Sequence, residues 1–116
     1  MEIRLIKNPI NRKELVKIAS EGFGDLVKAA VDIKKEMMAV GGELHSDEEI
    51  FLTDTEGSQR KNIWGINIYP KKPERERIEF DSMINLKPHS GNRSRDVESK
   101  EIKQKIKGII RKLIIE

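Results

Sequence analysis

The stretch Ile63-Trp64-Gly65-Ile66-Asn67-Ile68-Tyr69 alternates between large apolar side chains and small or polar ones. This period of two predicts a β-strand, because successive side chains of a strand point to opposite faces of its sheet. Trp64, Ile66 and Ile68 would face the core. Asn67 would lie on the opposite face, where a poor strand former is a candidate functional residue.

Two further segments extend this strand into a predicted three-stranded antiparallel meander. Ile50–Leu52 begins the preceding strand, and residues 54–58 form a hairpin turn between the two. The third strand covers residues 78–86, where apolar and polar residues alternate for most of the length. Its polar positions are Glu79, Asp81 and Asn85. We expect them on the outer face of the sheet together with Asn67.

Helical spacing and capping patterns predict three helices. Asn11 and Glu14 form a capping box for a helix that begins at Arg12. A second helix is predicted from about Gly24 to Ala39, and a third follows a cap at Asp96 or Ser99. The stripe that indicates the second helix is Leu26, Ala30, Ile33, Met37 and Val40.

Together these elements predict one compact α+β domain over residues 1–116. Ile3 and Leu5 indicate a short N-terminal strand beside the meander. The expected architecture is therefore a small, mainly antiparallel sheet, made of the meander and this strand, with about three helices packed on one face.

Composition narrows the classes of function. The 23 basic and 20 acidic residues give a net charge of +3, which does not favour a dedicated nucleic-acid binder. There is no cysteine, which excludes disulfides and thiolate metal sites. The sequence shows no membrane span and no signal-peptide pattern, so we expect a cytoplasmic protein. Abundant Lys, Glu and Ile with few aromatic residues are typical of proteins from hot environments.

Glu43, His45 and Asp47 alternate along one segment and are candidate metal ligands. If the segment is extended, the three side chains share one side, and with Asp81 they would suit a divalent metal such as Zn, Mn or Fe. The alternative interpretation is structural. Ser46 and Glu49 fit a capping box, and His45 would satisfy a backbone carbonyl.

The loop Ser90-Gly91-Asn92-Arg93-Ser94-Arg95 is a candidate anion site. Glycine and asparagine readily adopt positive φ, which can turn successive N–H groups toward one anion. Arg93 and Arg95 could bind a phosphate or carboxylate in a forked geometry. Alternatively the arginines pair internally with Glu43, Asp47 or Asp81. We expect Asp81 to lie beside Arg93 or Arg95 in either case.

These observations favour binding of a small phosphate- or carboxylate-bearing ligand between the outer sheet face and this loop. The predicted ligand-binding residues are Asn67, Asp81, Asn85, Asn92, Arg93 and Arg95. One alternative is a divalent-metal-dependent hydrolase of the phosphoesterase or nuclease type, with Glu43, His45 and Asp47 as ligands. Another is a structural module that forms a homodimer through a partly apolar outer face containing Ile63, Tyr69 and Met83.

Several distinctive motifs follow one another along the chain. They include Gly41-Gly42-Glu43-Leu44-His45-Ser46-Asp47, the strand from Trp64 to Tyr69 and the loop Gly91-Asn92-Arg93-Ser94. In these motifs the chain resembles an uncharacterised family of small prokaryotic proteins, a domain of unknown function. The resemblance spans nearly the whole chain and implies no particular activity.

Overall fold

A five-stranded antiparallel sheet forms the centre of the molecule in the computed structural model, which describes residues 1–116. Its strands are β1 (Arg4–Ile6), β3 (Val27–Asp32), β4 (Met37–Val40), β5 (Ile63–Ile68) and β6 (Ile78–Glu79), in the order β1-β4-β3-β5-β6. Strands β2 (Ile10–Asn11) and β7 (Ile114–Ile115) form a separate parallel pair. The helices are α1 (Arg12–Ser20), α2 (His45–Glu56) and α3 (Lys100–Leu113).

The predicted α+β class, with three helices on a mainly antiparallel sheet, is confirmed. The helices do not all lie on one face, however. α1 and α3 pack on the face that carries Val31 and Trp64. Leu52 of α2 packs with Ala30 and Ala39 on the opposite face. Both faces of the sheet are therefore covered.

The first and last predicted helices are confirmed, and each begins at a side-chain cap. Asn11 Oδ1 accepts a hydrogen bond from Lys13 N–H at 2.8 Å, and Ser99 Oγ accepts one from Ile102 N–H at 3.2 Å. The buried residues of these helices are Leu15, Ile18 and Ala19 in α1 and Ile106, Ile109, Ile110 and Leu113 in α3. No helix of this fold combines the length and the apolar character that a bilayer crossing requires.

The helix predicted over residues 24–39 was wrong, because this segment forms the hairpin of β3 and β4. Asp32 holds its turn: Oδ1 accepts hydrogen bonds from the N–H groups of Lys34 and Lys35 at 2.9 and 3.0 Å. Glu36 in the same turn has a φ of 54°. A strand that is covered on both faces is apolar at successive positions, so its pattern also fits helical spacing.

The strand predicted to begin at Ile50–Leu52 and the hairpin turn at residues 54–58 were also wrong, as was the extended segment around His45. Residues 45–56 form α2, and Gly57, with a φ of 66°, is its C-cap. The buried positions of α2 are His45, Glu48 and Leu52. Two of these three are polar, which removes the apolar stripe by which an amphipathic helix is recognised.

Strand β5 is confirmed, whereas the third meander strand is shorter than predicted. Its pairing with β5 ends at Glu79, and the predicted continuation contains a 3₁₀ turn at Met83–Asn85 instead. Ser82 starts this turn, where its Oγ accepts a hydrogen bond from Ile84 N–H at 3.2 Å. The turn brings residues 82–85 back against β5 on the α2 side of the sheet.

We predict that Asp32→Ala lowers the free energy of unfolding by about 1–3 kcal/mol, because it removes the acceptor of two backbone N–H groups. Asp32→Asn retains the Oδ1 acceptor and should cost less than half as much. Urea denaturation, with the midpoint compared at an unchanged m value, measures both. Equal losses in the two variants would show that the charge of Asp32, and not its turn bonds, stabilises the hairpin.

Candidate functional site

His45 lies on the buried side of the first turn of α2, where its Nε2 is 2.8 Å from the carbonyl oxygen of Ile66. A carbonyl oxygen only accepts, so Nε2 carries the proton and Nδ1 is the acceptor of the neutral ring. Burial lowers the pKa of His45, the bond to Ile66 opposes this shift, and Lys28 lowers the pKa further. The imidazole is therefore neutral at pH 7, and the interpretation that it satisfies a backbone carbonyl is confirmed.

Glu48 follows one turn later on the same side of α2 and is fully buried. Its Oε2 accepts a hydrogen bond from Gly42 N–H at 2.9 Å, while Oε1 has no partner. Burial raises the pKa of Glu48 to about 9, despite the opposing effects of the Gly42 bond and the Lys28 charge. The carboxyl group is thus protonated at neutral pH. The sequence analysis missed Glu48, whose only signal is its place three residues after His45.

Asn67 lies beneath this turn, on the face opposite Trp64 as the sequence predicted, but α2 covers that face and Asn67 is buried. Across the sheet it pairs with Lys28 of β3 on one side and with Glu79 of β6 on the other. Its Nδ2 donates to Glu79 Oε1 at 2.9 Å, and Tyr69 OH donates to the same oxygen at 3.2 Å. The Oδ1 atom of Asn67 is buried and has no partner.

Asp81 and Arg95 form an ion pair with 2.6 Å between Asp81 Oδ1 and Arg95 Nε, which confirms the expected pairing. About half of each side chain is exposed (47% and 54%), so this is a surface pair and not a buried clamp. Both charges act on His45, whose pKa is raised by Asp81 and lowered by Arg95. The pair therefore lies close to the first turn of α2.

These residues make up one group of polar side chains under the start of α2, which we call the α2 cluster. Its members are Lys28, His45, Glu48, Asn67, Glu79, Asp81 and Arg95. Four of them were singled out from the sequence as site residues or metal ligands. Lys28 lies outside the apolar stripe of the incorrectly predicted helix, so its position here could not have been expected.

Asn85 and Asn92 have a different environment from the one predicted. The Asn85 side chain accepts a hydrogen bond from Gly65 N–H at 2.8 Å and donates to the carbonyl oxygens of Gly65 and Arg95 at 3.0 and 2.8 Å. Asn92 Nδ2 donates to three carbonyl oxygens, and its Oδ1 accepts from Glu98 N–H at 2.9 Å. Both amides are buried and engaged with backbone, so they hold the loop in place.

The predicted anion-binding loop is occupied by a carboxylate of the chain itself. Gly91 has a φ of 82°, as expected for such a loop, but Glu98 Oε2 accepts from Arg93 N–H at 3.0 Å and from Ser94 Oγ at 2.7 Å. The bonds from Ser94 and Arg93 lower the pKa of Glu98. The Arg93 side chain is exposed and forms no ion pair. Glu98 was not considered in the sequence analysis.

The three predicted metal ligands do not come together. Because the segment is helical from His45 onward, positions two apart no longer share a side. Glu43 and Asp47 are exposed while His45 points inward, and no group of three His, Asp or Glu side chains in the chain is arranged to hold a metal ion. Ile63, part of the predicted dimerisation face, is buried beneath α2.

Cavities of about 900, 670 and 340 Å³ lie elsewhere on the surface and contain none of the predicted site residues. The largest runs along α3 and the loop before β6. The α2 cluster is therefore defined by its polar contacts and charges and does not coincide with any of these three cavities.

One family of proteins matches the chain over nearly its whole length. The family is described as "Protein of unknown function (DUF5674)", and the match covers residues 4–113. The chain belongs to this family. No curated protein and no solved structure matches it. Membership of DUF5674 assigns no activity.

We predict that Asn85→Ala lowers the free energy of unfolding by about 3–5 kcal/mol, because three backbone groups lose their partner at about 1–3 kcal/mol each. Asn85→Asp should lower the free energy of unfolding at least as much, since its second carboxylate oxygen would face the carbonyl oxygens of Gly65 and Arg95. Denaturant midpoints measure these losses. Asn8→Ala, at an exposed asparagine, is the matched control, and a similar small effect at both positions would refute this role of Asn85.

The contribution of Glu48 to the stability of the protein should fall as pH rises from about 5 to 9. Over this window the folded chain retains the Glu48 proton, with a pKa of about 9, whereas the unfolded chain has released it near 4.5. Glu48→Gln is neutral throughout and should gain several kcal/mol relative to wild type across the window, at about 1.4 kcal/mol per pKa unit.

Chemical denaturation at a series of pH values tests this difference. The exposed Glu43→Gln is the control, and its stability should follow wild type at every pH. A Glu48→Gln curve that runs parallel to wild type would mean that Glu48 ionises normally in the folded protein.

Proposed function

We propose that this member of DUF5674 binds a small ligand that carries a phosphate or carboxylate group, and that it does so at the α2 cluster. In this proposal Lys28 and Arg95 attract the anionic group, while Asn67 and His45 orient the remainder of the ligand. Nothing in the geometry favours the hydrolase or the homodimer over it.

The charge of Lys28 is the observation that carries the proposal. Lys28 is half-buried, and its ammonium group has no carboxylate within 4.0 Å. Its Nζ lies 5.4 Å from the centroid of the Phe23 ring. Glu48 would be its natural counter-charge in α2, but that carboxyl is neutral at pH 7. A partly desolvated cation without a counter-ion favours an anion from solution.

The start of α2 adds to this attraction. Leu44 occupies the N-cap position of the twelve-residue helix and offers no side-chain acceptor. Asp47 N–H donates to the Leu44 carbonyl at 3.1 Å, whereas the N–H groups of His45 and Ser46 have no partner. Free N–H groups and the helix dipole favour an anion at this end. Asp47, in the same turn, opposes the effect with its own negative charge.

The acceptor atoms of the cluster indicate what else the ligand carries. Asn67 Oδ1 is buried without a donor, which costs stability unless a ligand or water supplies one. Nδ1 of the neutral His45 is a second acceptor. A ligand with hydroxyl or amine groups beside its anionic group would satisfy both. Hydroxy acids, amino acids, sugar phosphates and nucleotides all meet this description.

A thermal-shift screen of these four classes tests the proposal. A ligand present at a hundredfold excess over its Kd should stabilise the wild type by about 2.7 kcal/mol. Lys28→Met keeps the apolar stem but removes the charge, and it should weaken binding of any hit at least tenfold. Asp47→Asn should strengthen binding, because it removes the opposing charge at the helix start.

Lys61→Met is the matched control, since Lys61 is exposed and lies outside the α2 cluster. It should bind the hit as tightly as wild type does. If no compound of the four classes stabilises the wild type, the proposed function is wrong. If Lys28→Met binds a hit as well as Lys61→Met, the ligand site is elsewhere on the protein.

A further inference from the structure

The cavity of about 900 Å³ lies on the other side of the sheet from the α2 cluster, and we call it the α3 cavity. Its apolar wall consists of Ile78, Phe80, Ile110, Ile114 and Ile115. Most of these residues pack on the core that α1 and α3 share with the sheet. The volume is within the range of about 300–1,000 Å³ that small-molecule sites commonly have.

The rim of the α3 cavity is cationic. Four basic residues line it, against two carboxylates, Glu74 and Glu116. Each carboxylate is already paired with one cation of the rim: Glu74 with Arg111 at 3.1 Å and Glu116 with Arg77 at 3.7 Å. The remaining cations, Arg75 and Lys107, have no carboxylate within 4.0 Å.

One of the two unpaired cations, Lys107, adjoins the apolar wall, with its Nζ 6.0 Å from the centroid of the Phe80 ring. Lys103 Nζ, which is paired with Asp96 at 3.2 Å, is 5.2 Å from the same centroid. Two ammonium groups therefore lie at one aromatic ring of the cavity wall. This places positive charge at the edge of an apolar surface, where a molecule with an anionic head and an apolar body would meet both.

We propose that the α3 cavity binds a free amphipathic carboxylate, such as a medium-chain fatty acid. The apolar body lies against Phe80, Ile110 and Ile115, and the carboxylate lies between Arg75 and Lys107. Charge complementarity selects this occupant over a neutral apolar molecule. The inference is independent of the α2 cluster, because no residue lines both sites.

Octanoate and 1-octanol form a matched pair of probes, since they share the chain length and differ in charge. Titration of protein labelled at the isoleucine methyl groups, followed by NMR, gives the affinity and the location together. We expect octanoate to bind at least tenfold more tightly than 1-octanol, with the largest shifts at Ile110 and Ile115. Equal affinities, or shifts that lie mainly outside the cavity, would overturn the proposal.

Variants distinguish the contacts of the ligand's carboxylate from those of its apolar body. Arg75→Gln with Lys107→Gln should reduce octanoate affinity to that of 1-octanol, whereas Lys100→Gln with Lys105→Gln, at exposed lysines of α3 outside the cavity, should leave it unchanged. Ile115 is 52% exposed, so Ile115→Asp should fold normally and weaken both probes at least tenfold. Wild-type affinity in the first double variant would overturn the assignment of the head group.

The same measurements distinguish a free ligand from a membrane surface. Vesicles that contain an anionic phospholipid should not shift the cavity resonances more than neutral vesicles do. If the protein binds anionic vesicles and fails to bind free octanoate, the cationic rim serves a membrane surface, and the proposal of a free carboxylate is wrong.

Discussion

Strand β3 is buried on both faces except at Lys28, because helices cover the sheet on both sides of it. Val31 faces the α1 and α3 side and Ala30 faces α2, and both are fully buried. The α2 side is tightly spaced: a Cβ on Gly65 would lie 2.5 Å from Ser82 Cβ. Small residues at the centre of the sheet thus allow α2 and the 3₁₀ turn to approach. This close approach brings the polar side chains of the α2 cluster together.

The same burial explains which parts of the structure could be predicted from the sequence. α1, α3 and β5 each have one apolar face, and their caps or alternation were sufficient to find them. Ala30 fits a buried strand and a helical stripe equally well, so β3 was mistaken for a helix. α2 was not recognised from the sequence, because His45 and Glu48 place polar groups where an apolar stripe is expected. The face of Asn67 followed from strand alternation, whereas Lys28 joined the site only through tertiary packing.

Two glutamates of this chain illustrate how surroundings set the charge of a site. Glu98 is exposed and receives hydrogen bonds from the loop at Arg93 and Ser94, which favour its ionised form. Glu48 is buried with a single hydrogen bond and remains neutral. The loop that was predicted to bind an external anion therefore already binds the carboxylate of Glu98. Glu48 is the carboxyl group that α2 contributes near Lys28, and because it is neutral it does not compensate the Lys28 charge.

The amide of Asn85 also closes part of the edge of the sheet. Strand β6 pairs only with Asn67 and Ile68 of β5, and Asn85 bonds both backbone groups of Gly65, as a neighbouring strand would. An unpaired edge can recruit a strand from another chain, which leads to aggregation. Here an incoming strand would first have to displace Asn85 and thereby release the carbonyl of Arg95. Addition of a strand at this edge would therefore also disrupt the loop that contains Arg95.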